Sequence, residues 1–167
     1  MFCCFYRYFS ISRYKRERFY KGLTLIELLI TVAIVGILSA IAVPLYTGHI
    51  EKQRIVTAKT DIVNIESQID RFEALNGRPP NDLAEAGINP TPTDPWGTQY
   101  RYLRIAGVDP KPAGVRKDHS LVPLNDDYDL YSKGKDGNTD PALTGGPAQD
   151  DIIRANNGGF LDLGSEY

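Results

Sequence analysis

The chain has 167 residues, 24% of them charged, and a formal net charge of −2, which suits one small domain with an anchor rather than several domains. The charge is divided: residues 1–22 hold six basic side chains against Glu17 (net +5), and the remainder holds thirteen basic and twenty acidic ones (net −7). An acidic remainder argues against nucleic acid, since phosphate binding needs a basic face, and with the only cysteines at Cys3 and Cys4 the rest of the chain has none for a disulfide.

From Leu23 to Tyr46 the sequence is apolar, with no basic residue and one acid, Glu27. As a helix these 24 residues would reach about 36 Å, enough for a hydrocarbon core of about 30 Å. The basic stretch before them favours retention on the cytoplasmic side. A carboxylate inside such a span is costly and points to a function and a partner. A simple signal anchor explains the apolar run and its basic flank, but neither Gly22 nor Glu27. A cleaved secretory signal fits less well, because its apolar region is shorter and is cut on the far side.

Beyond the span, Ile55, Ala58, Ile62, Ile65, Ile69, Phe72 and Asn76 recur at spacings of three and four. They predict one stripe of an amphipathic helix. A single helix is expected from Thr24 to Asn76, loosened at Pro44 and stopped by Gly77 and Pro79-Pro80. Residues 81–87 read as a short helix and residues 89–97 as a loop. Trp96 is expected to plug the core against the long helix.

Residues 99–105 and 128–132 read as strands, rich in aromatic and branched side chains. A long connection, 106–125, separates them. Turns and loop follow over 132–149, and residues 150–153 form a short strand or turn. The tail, 154–167, is expected to be ordered only in part. The domain division is therefore 1–22, 23–46, 47–76 and 77–167.

No catalytic constellation is expected. His49 and His119 lack spaced Cys or His companions, and no phosphate loop or Ser/His/Asp grouping is present. The carboxylates Asp126, Asp127, Asp129, Asp136, Asp140, Asp150 and Asp151 crowd a stretch of Gly, Ser, Asn and Pro. Composition leaves two readings open, a solvated acidic loop or a site for a hard cation with oxygen ligands.

Gly22-Leu23-Thr24-Leu25-Ile26-Glu27 before an apolar helix resembles the class III signal of type IV pilins and pseudopilins. Glycine precedes the cut, the acid is the fifth residue after it, and Pro44 is the twenty-second. Leu23 departs from the usual Phe or Met. The motifs Asp94-Pro95-Trp96-Gly97, Asp127-Tyr128-Asp129-Leu130-Tyr131-Ser132, Gly134-Lys135-Asp136-Gly137 and Asp150-Asp151-Ile152 narrow the resemblance to the major pseudopilin of type II secretion. It covers residues 22 to about 152. The tail lacks the tryptophan common there, and the insert Val108–Leu124 is longer than the family pattern.

The resemblance implies an α+β pilin-like fold: a long N-terminal helix, its first half transmembrane, on a small antiparallel β-sheet with a calcium-clipped C-terminal loop. It implies cleavage between Gly22 and Leu23 by a prepilin peptidase and methylation of the Leu23 amine. It gives Glu27 a role in assembly, paired with the Leu23 amine of a neighbouring subunit. It implies one calcium, held by Asp136, Asp150 and the Lys133 carbonyl, with Asp151 and Asp140 as additions or substitutes. The implied protein is a non-enzymatic, single-pass inner-membrane subunit with a periplasmic domain. Its partners would be other copies of itself, the peptidase, the inner-membrane secretion platform and minor pseudopilins. The alternatives are a type IV pilin for adhesion or motility, and a membrane-anchored calcium-binding module that never polymerises.

Overall fold

The computed structural model describes residues 22–167; the basic stretch and both cysteines lie outside the described residues. Helix α1 runs Leu25–Asn76, with Pro44 inside it. The contacts divide the chain into two units at Val43/Pro44. In the first, the apolar side chains are exposed, from Leu25 at 77% to Val43 at 61%. Helix α1 includes a stretch apolar and long enough to cross a membrane, with mean hydropathy 2.7 and none of it buried.

The second unit holds the rest of α1 and a four-stranded sheet. The strands are β1 (Arg101–Arg104), β2 (Tyr128–Ser132), β3 (Ile152–Ala155) and β4 (Phe160–Leu163), in the spatial order β1-β2-β3-β4. Every neighbouring pair is antiparallel, with Leu130 opposite Tyr102, Tyr131 opposite Ile153, and Ile152 opposite Leu163. The predicted stripe supplies the seam: Ala58, Ile62, Ile65 and Ile69 are buried and pack with Tyr128, Leu130 and Ile152. Strand alternation puts the next residues on the other face. There Ile153 and Ala155 join Leu124, Leu143 and Ala148 in a second buried cluster. The sheet is thus covered on both faces, by α1 on one and by loops on the other.

Asn76 ends α1 rather than joining the stripe: it is exposed, and its Nδ2 donates to the Phe72 carbonyl. Gly77, at φ +70°, closes the helix by donating its N–H to the Glu73 carbonyl. Trp96 is half-buried against the core, and its Nε1 donates to Glu51 Oε1 at 3.0 Å. It packs on α1 as expected, with a polar tether besides.

Two expectations are corrected. Residues 81–87 form a turn, not a helix. Asp82 Oδ1 accepts the Glu85 N–H at 2.8 Å, and Glu85 reaches back to the Asn81 N–H and to Arg78. Side chains take the backbone groups a helix would use, and Gly87 at φ +82° ends the segment. The tail is ordered through to Glu166 as β4 and a 3-10 turn. Asn156, Asn157 and Gly158 all have positive φ and turn β3 back into β4. That Asn-Asn-Gly sequence is a hairpin signal, and it pairs β3 with a partner the sequence reading did not supply.

Ile62→Ala removes a fully buried side chain from the seam. It should lower unfolding stability by about 2–5 kcal/mol, whereas Val63→Ala, at a position 50% exposed, should stay within about 0.5 kcal/mol. Chemical denaturation of the two purified variants measures both. Equal losses would mean that the helix buries a different face.

Candidate functional site

The first site is the start of α1. Thr24 N and Oγ1 both donate to Glu27 Oε2 at 2.9 Å, and the Glu27 N–H returns to Thr24 Oγ1 at 3.3 Å. This is a capping box, in which residues three apart satisfy each other's orphan donors. The Thr-x-x-Glu spacing was legible in the sequence, yet only the acid was singled out there. Glu27 is thereby held at the positive end of the helix dipole, among exposed apolar side chains. Gly22 is exposed, and a Cβ added to it would meet nothing within 4 Å. Packing within the described residues does not require glycine there.

The second site is the acidic loop, and the structure sorts its carboxylates. Asp127 and Glu66 hold Arg154, which is 4% exposed, at 2.7 Å each. The Arg154 guanidinium lies 4.2 Å from the Tyr128 ring centroid. It ties helix, sheet and connection together. Asp126 is exposed, and its N–H donates to Asn157 Oδ1.

Asp151 and Asp129 are taken up by Arg116, a residue the sequence reading passed over. The Arg116 side chain is 2% exposed. Its Nη2 donates to Asp151 Oδ2 at 2.5 Å and to Thr139 Oγ1 at 2.7 Å, and its Nη1 donates to the Asp140 carbonyl at 2.5 Å. Its backbone N–H reaches Asp129 Oδ2 at 2.7 Å, and the guanidinium lies 3.7 Å from the Tyr131 ring centroid. Arg116 comes from the long insert, which Lys117 and Leu143 dock onto residues 141–143 through backbone bonds. No local spacing could reveal it, because its partners lie 13 to 35 positions away.

Asp136 and Asp150 are brought together elsewhere. The Asp136 N–H donates to Asp150 Oδ2 at 2.9 Å, and Asp136 Oδ1 accepts the Asn138 N–H at 2.7 Å. Among the described residues neither carboxylate makes an ion pair. Gly134, at φ +62°, passes so close to the Asp150 carbonyl that no Cβ fits there. That close approach sets the backbone at Gly134, next after Lys133 in the chain, against Asp150. Asp94 anchors this end of the loop: Ser132 Oγ donates to Asp94 Oδ2, and the Gly134 N–H donates to Ser132 Oγ.

The donor set around Asp136 and Asp150 is hard oxygen, which suits calcium. Asp140 and Asp151 do not converge with it. Asp140 Oδ1 accepts the Ala142 N–H, and Asp151 Oδ2 is spent on Arg116 and Thr139. Asp151 Oδ1 is buried without a hydrogen-bond partner in the described chain and is the one oxygen it retains. Among the described residues no three acidic, His or Cys side chains converge as metal ligands. A cation at Asp136 and Asp150 would therefore draw on backbone carbonyls and water. Both histidines are exposed.

The profile of the prokaryotic N-terminal methylation motif matches residues 18–43. The chain is 30% identical over 142 residues to type II secretion system core protein G of Pseudomonas aeruginosa, covering 73% of this chain and 88% of that protein. It is 36% identical over 108 residues to the protein of the same name from Vibrio cholerae, covering 53% and 74%. Fimbrial protein EcpB of Eikenella corrodens is 40% identical over 68 residues, covering 41% and 43%. No solved structure matches.

Burial pushes the Asp151 carboxyl above the ordinary carboxylate range, with Thr139 and Arg116 pulling the other way. A raised carboxyl stabilises the fold when protonated, and that stability is lost as pH rises through its folded value. Arg116→Met strands the Asp151 charge and should cost about 3–5 kcal/mol near neutral pH. The loss should shrink at acid pH, as Asp151 becomes able to fold protonated. Denaturation of wild type and variant at neutral and acid pH tests this; a pH-independent loss would contradict the pairing.

Proposed function

The chain belongs to the family of type II secretion system core protein G, and from that footing we propose that it is a structural subunit, not an enzyme, of a periplasmic pseudopilus. It polymerises through its N-terminal helix and drives export of folded proteins across the outer membrane. The observation that carries the reading is the run Gly22 to Glu27 at the head of an exposed apolar helix, in a chain whose similarity to core protein G extends over most of its length. Core protein G of Pseudomonas aeruginosa matches 73% of the chain, against 41% for fimbrial protein EcpB and 51% for a type IV major pilin, which favours the pseudopilus over a surface pilus.

In this reading a prepilin peptidase cuts between Gly22 and Leu23, and the new Leu23 amine is methylated. Glycine at position 22 then serves the peptidase, since packing does not require it. The cut leaves Leu23 with a positive amine four residues before Glu27. The capping box holds the Glu27 carboxylate at the helix end, where the amine of a neighbouring subunit can pair with it. The subunit sits in the inner membrane by a single span, with its C-terminal domain in the periplasm. Its partners are further copies, minor pseudopilins and the inner-membrane platform.

Glu27→Ala should still be inserted and cleaved, giving by mass spectrometry a chain that begins at Leu23, yet form no filaments in cells overproducing it with its peptidase. An unpaired buried charge costs about 3–5 kcal/mol, which is the size of the expected defect. Normal filaments from this variant would defeat the pairing.

Calcium is proposed at Asp136, Asp150 and the Lys133 carbonyl. Asp140 and Asp151, which do not converge with that pair, stay outside the proposed ligand set. The bound ion supplies a positive charge that lets the two carboxylates share one loop. Calcium at a hundredfold excess over Kd should stabilise the chain by about 2.7 kcal/mol and raise its melting temperature relative to chelator. Asp136→Ala and Asp150→Ala should each remove that shift, and Asp118→Ala should not. An unchanged wild-type melting temperature in chelator would leave the loop as a solvated acidic surface.

A further inference from the structure

The face of α1 that meets the sheet does not end where the packing ends. Glu51 lies seven residues before Ala58, and Ala58, Ile62, Ile65 and Ile69 follow at four, three and four, so all share one face. Ala58 is the first buried residue of that face. N-terminal to it the face opens into a cleft of about 530 Å³, lined by Thr47, Gly48, Ile50, Glu51, Arg54 and Lys135. Five of these belong to the helix just past the apolar span. The sixth reaches over from the loop after β2, next to Asp136.

The lining is amphiphilic. Ile50 is 37% exposed, and Thr47 and Gly48 add little polarity beside it. Arg54 and Lys135 supply two cations. The one acid, Glu51, is already engaged: its Oε1 accepts the Trp96 indole N–H, and its Oε2 lies 3.7 Å from Arg54. A lining with one apolar side chain, Ile50, beside Lys135 and an Arg54 shared loosely with Glu51, just past an apolar span in the sequence, fits a phosphate that carries hydrocarbon. Long basic side chains next to a span reach naturally to headgroup level.

We propose that this cleft binds the headgroup phosphate of an anionic phospholipid on the side of the membrane where the domain lies. Arg54 and Lys135 hold the phosphate, and Ile50 faces the glycerol and the first acyl carbons. The proposal rests on reading residues 23–46 as a membrane span. It has a consequence for the acidic loop: the tip carrying Lys135 is tethered to the bilayer, adjacent to the proposed calcium ligand Asp136.

The test uses the full chain in dodecyl maltoside micelles and reads amine acylation of each lysine by mass spectrometry. Titrated phosphatidylglycerol should slow acylation of Lys135 several-fold and saturably, while Lys52, on the neighbouring face outside the cleft, changes much less. Arg54→Gln should remove most of that protection. Inorganic phosphate at millimolar concentration should not reproduce it. Equal slowing of Lys52 and Lys135 would reduce the effect to general surface charge and overturn the site, as would an unchanged Lys135 rate. Protection by inorganic phosphate alone would make it a free-anion site and overturn the lipid assignment. A chain that stays monodisperse without detergent and does not enter micelles would remove the span reading, and the lipid site with it.

Discussion

The domain's irregular loops depend on a buried guanidinium. A long insert and a long acidic loop cover one face of a small sheet, and no cysteine is available among residues 22–167 to staple them. Arg116 does this work with directional bonds. It brings the insert, Thr139, the Asp140 carbonyl and Asp151 to a single planar group that also stacks on Tyr131. A guanidinium suits the task because its donors lie in a fixed plane and its charge is not lost on burial. Arg154 repeats the device on the helix side of the sheet, joining Glu66 to Asp127 over Tyr128.

These two arginines change how the acidic stretch is understood. Seven carboxylates between Asp126 and Asp151 look from the sequence like one cluster in need of a cation. In the fold Asp127 and Asp151 bond to arginine guanidinium groups, and Asp129 accepts the Arg116 backbone N–H. Asp126 lies 3.8 Å from Lys111 and Asp140 accepts the Ala142 N–H; Asp136 and Asp150 are the two left together, joined through a backbone N–H and set beside a glycine that admits no side chain. The need for an external cation is therefore narrower than the charge count suggests, and it is confined to one end of the loop.

The two ends of the chain's function are built from different physics. At the head of α1 a short-range capping box aims one carboxylate, and its logic is contained within four residues. In the domain, long-range polar bonds hold loops whose own residues have little apolar area to bury. Trp96 to Glu51, Tyr100 to Asp61 and Lys59 to Asp162 extend the same pattern along α1, each bond joining the helix to a segment far away in the chain.

What the sequence by itself determined was whatever depends on local period and local chemistry. The apolar span, the single long helix, its buried stripe at Ala58, Ile62, Ile65 and Ile69, the strand at 128–132 and the family's N-terminal motif were all legible, because each is encoded within a few turns or strand residues. The Asn-Asn-Gly turn into β4 was equally local and went unread. Only the tertiary structure decided which carboxylates are spent and which are left. Arg116 meets Asp151 across 35 positions and Arg154 meets Glu66 across 88, and nothing in the spacing of a chain specifies pairings at that range. They follow from the sheet's register and the docking of the insert, which bring to one point side chains that the sequence keeps far apart.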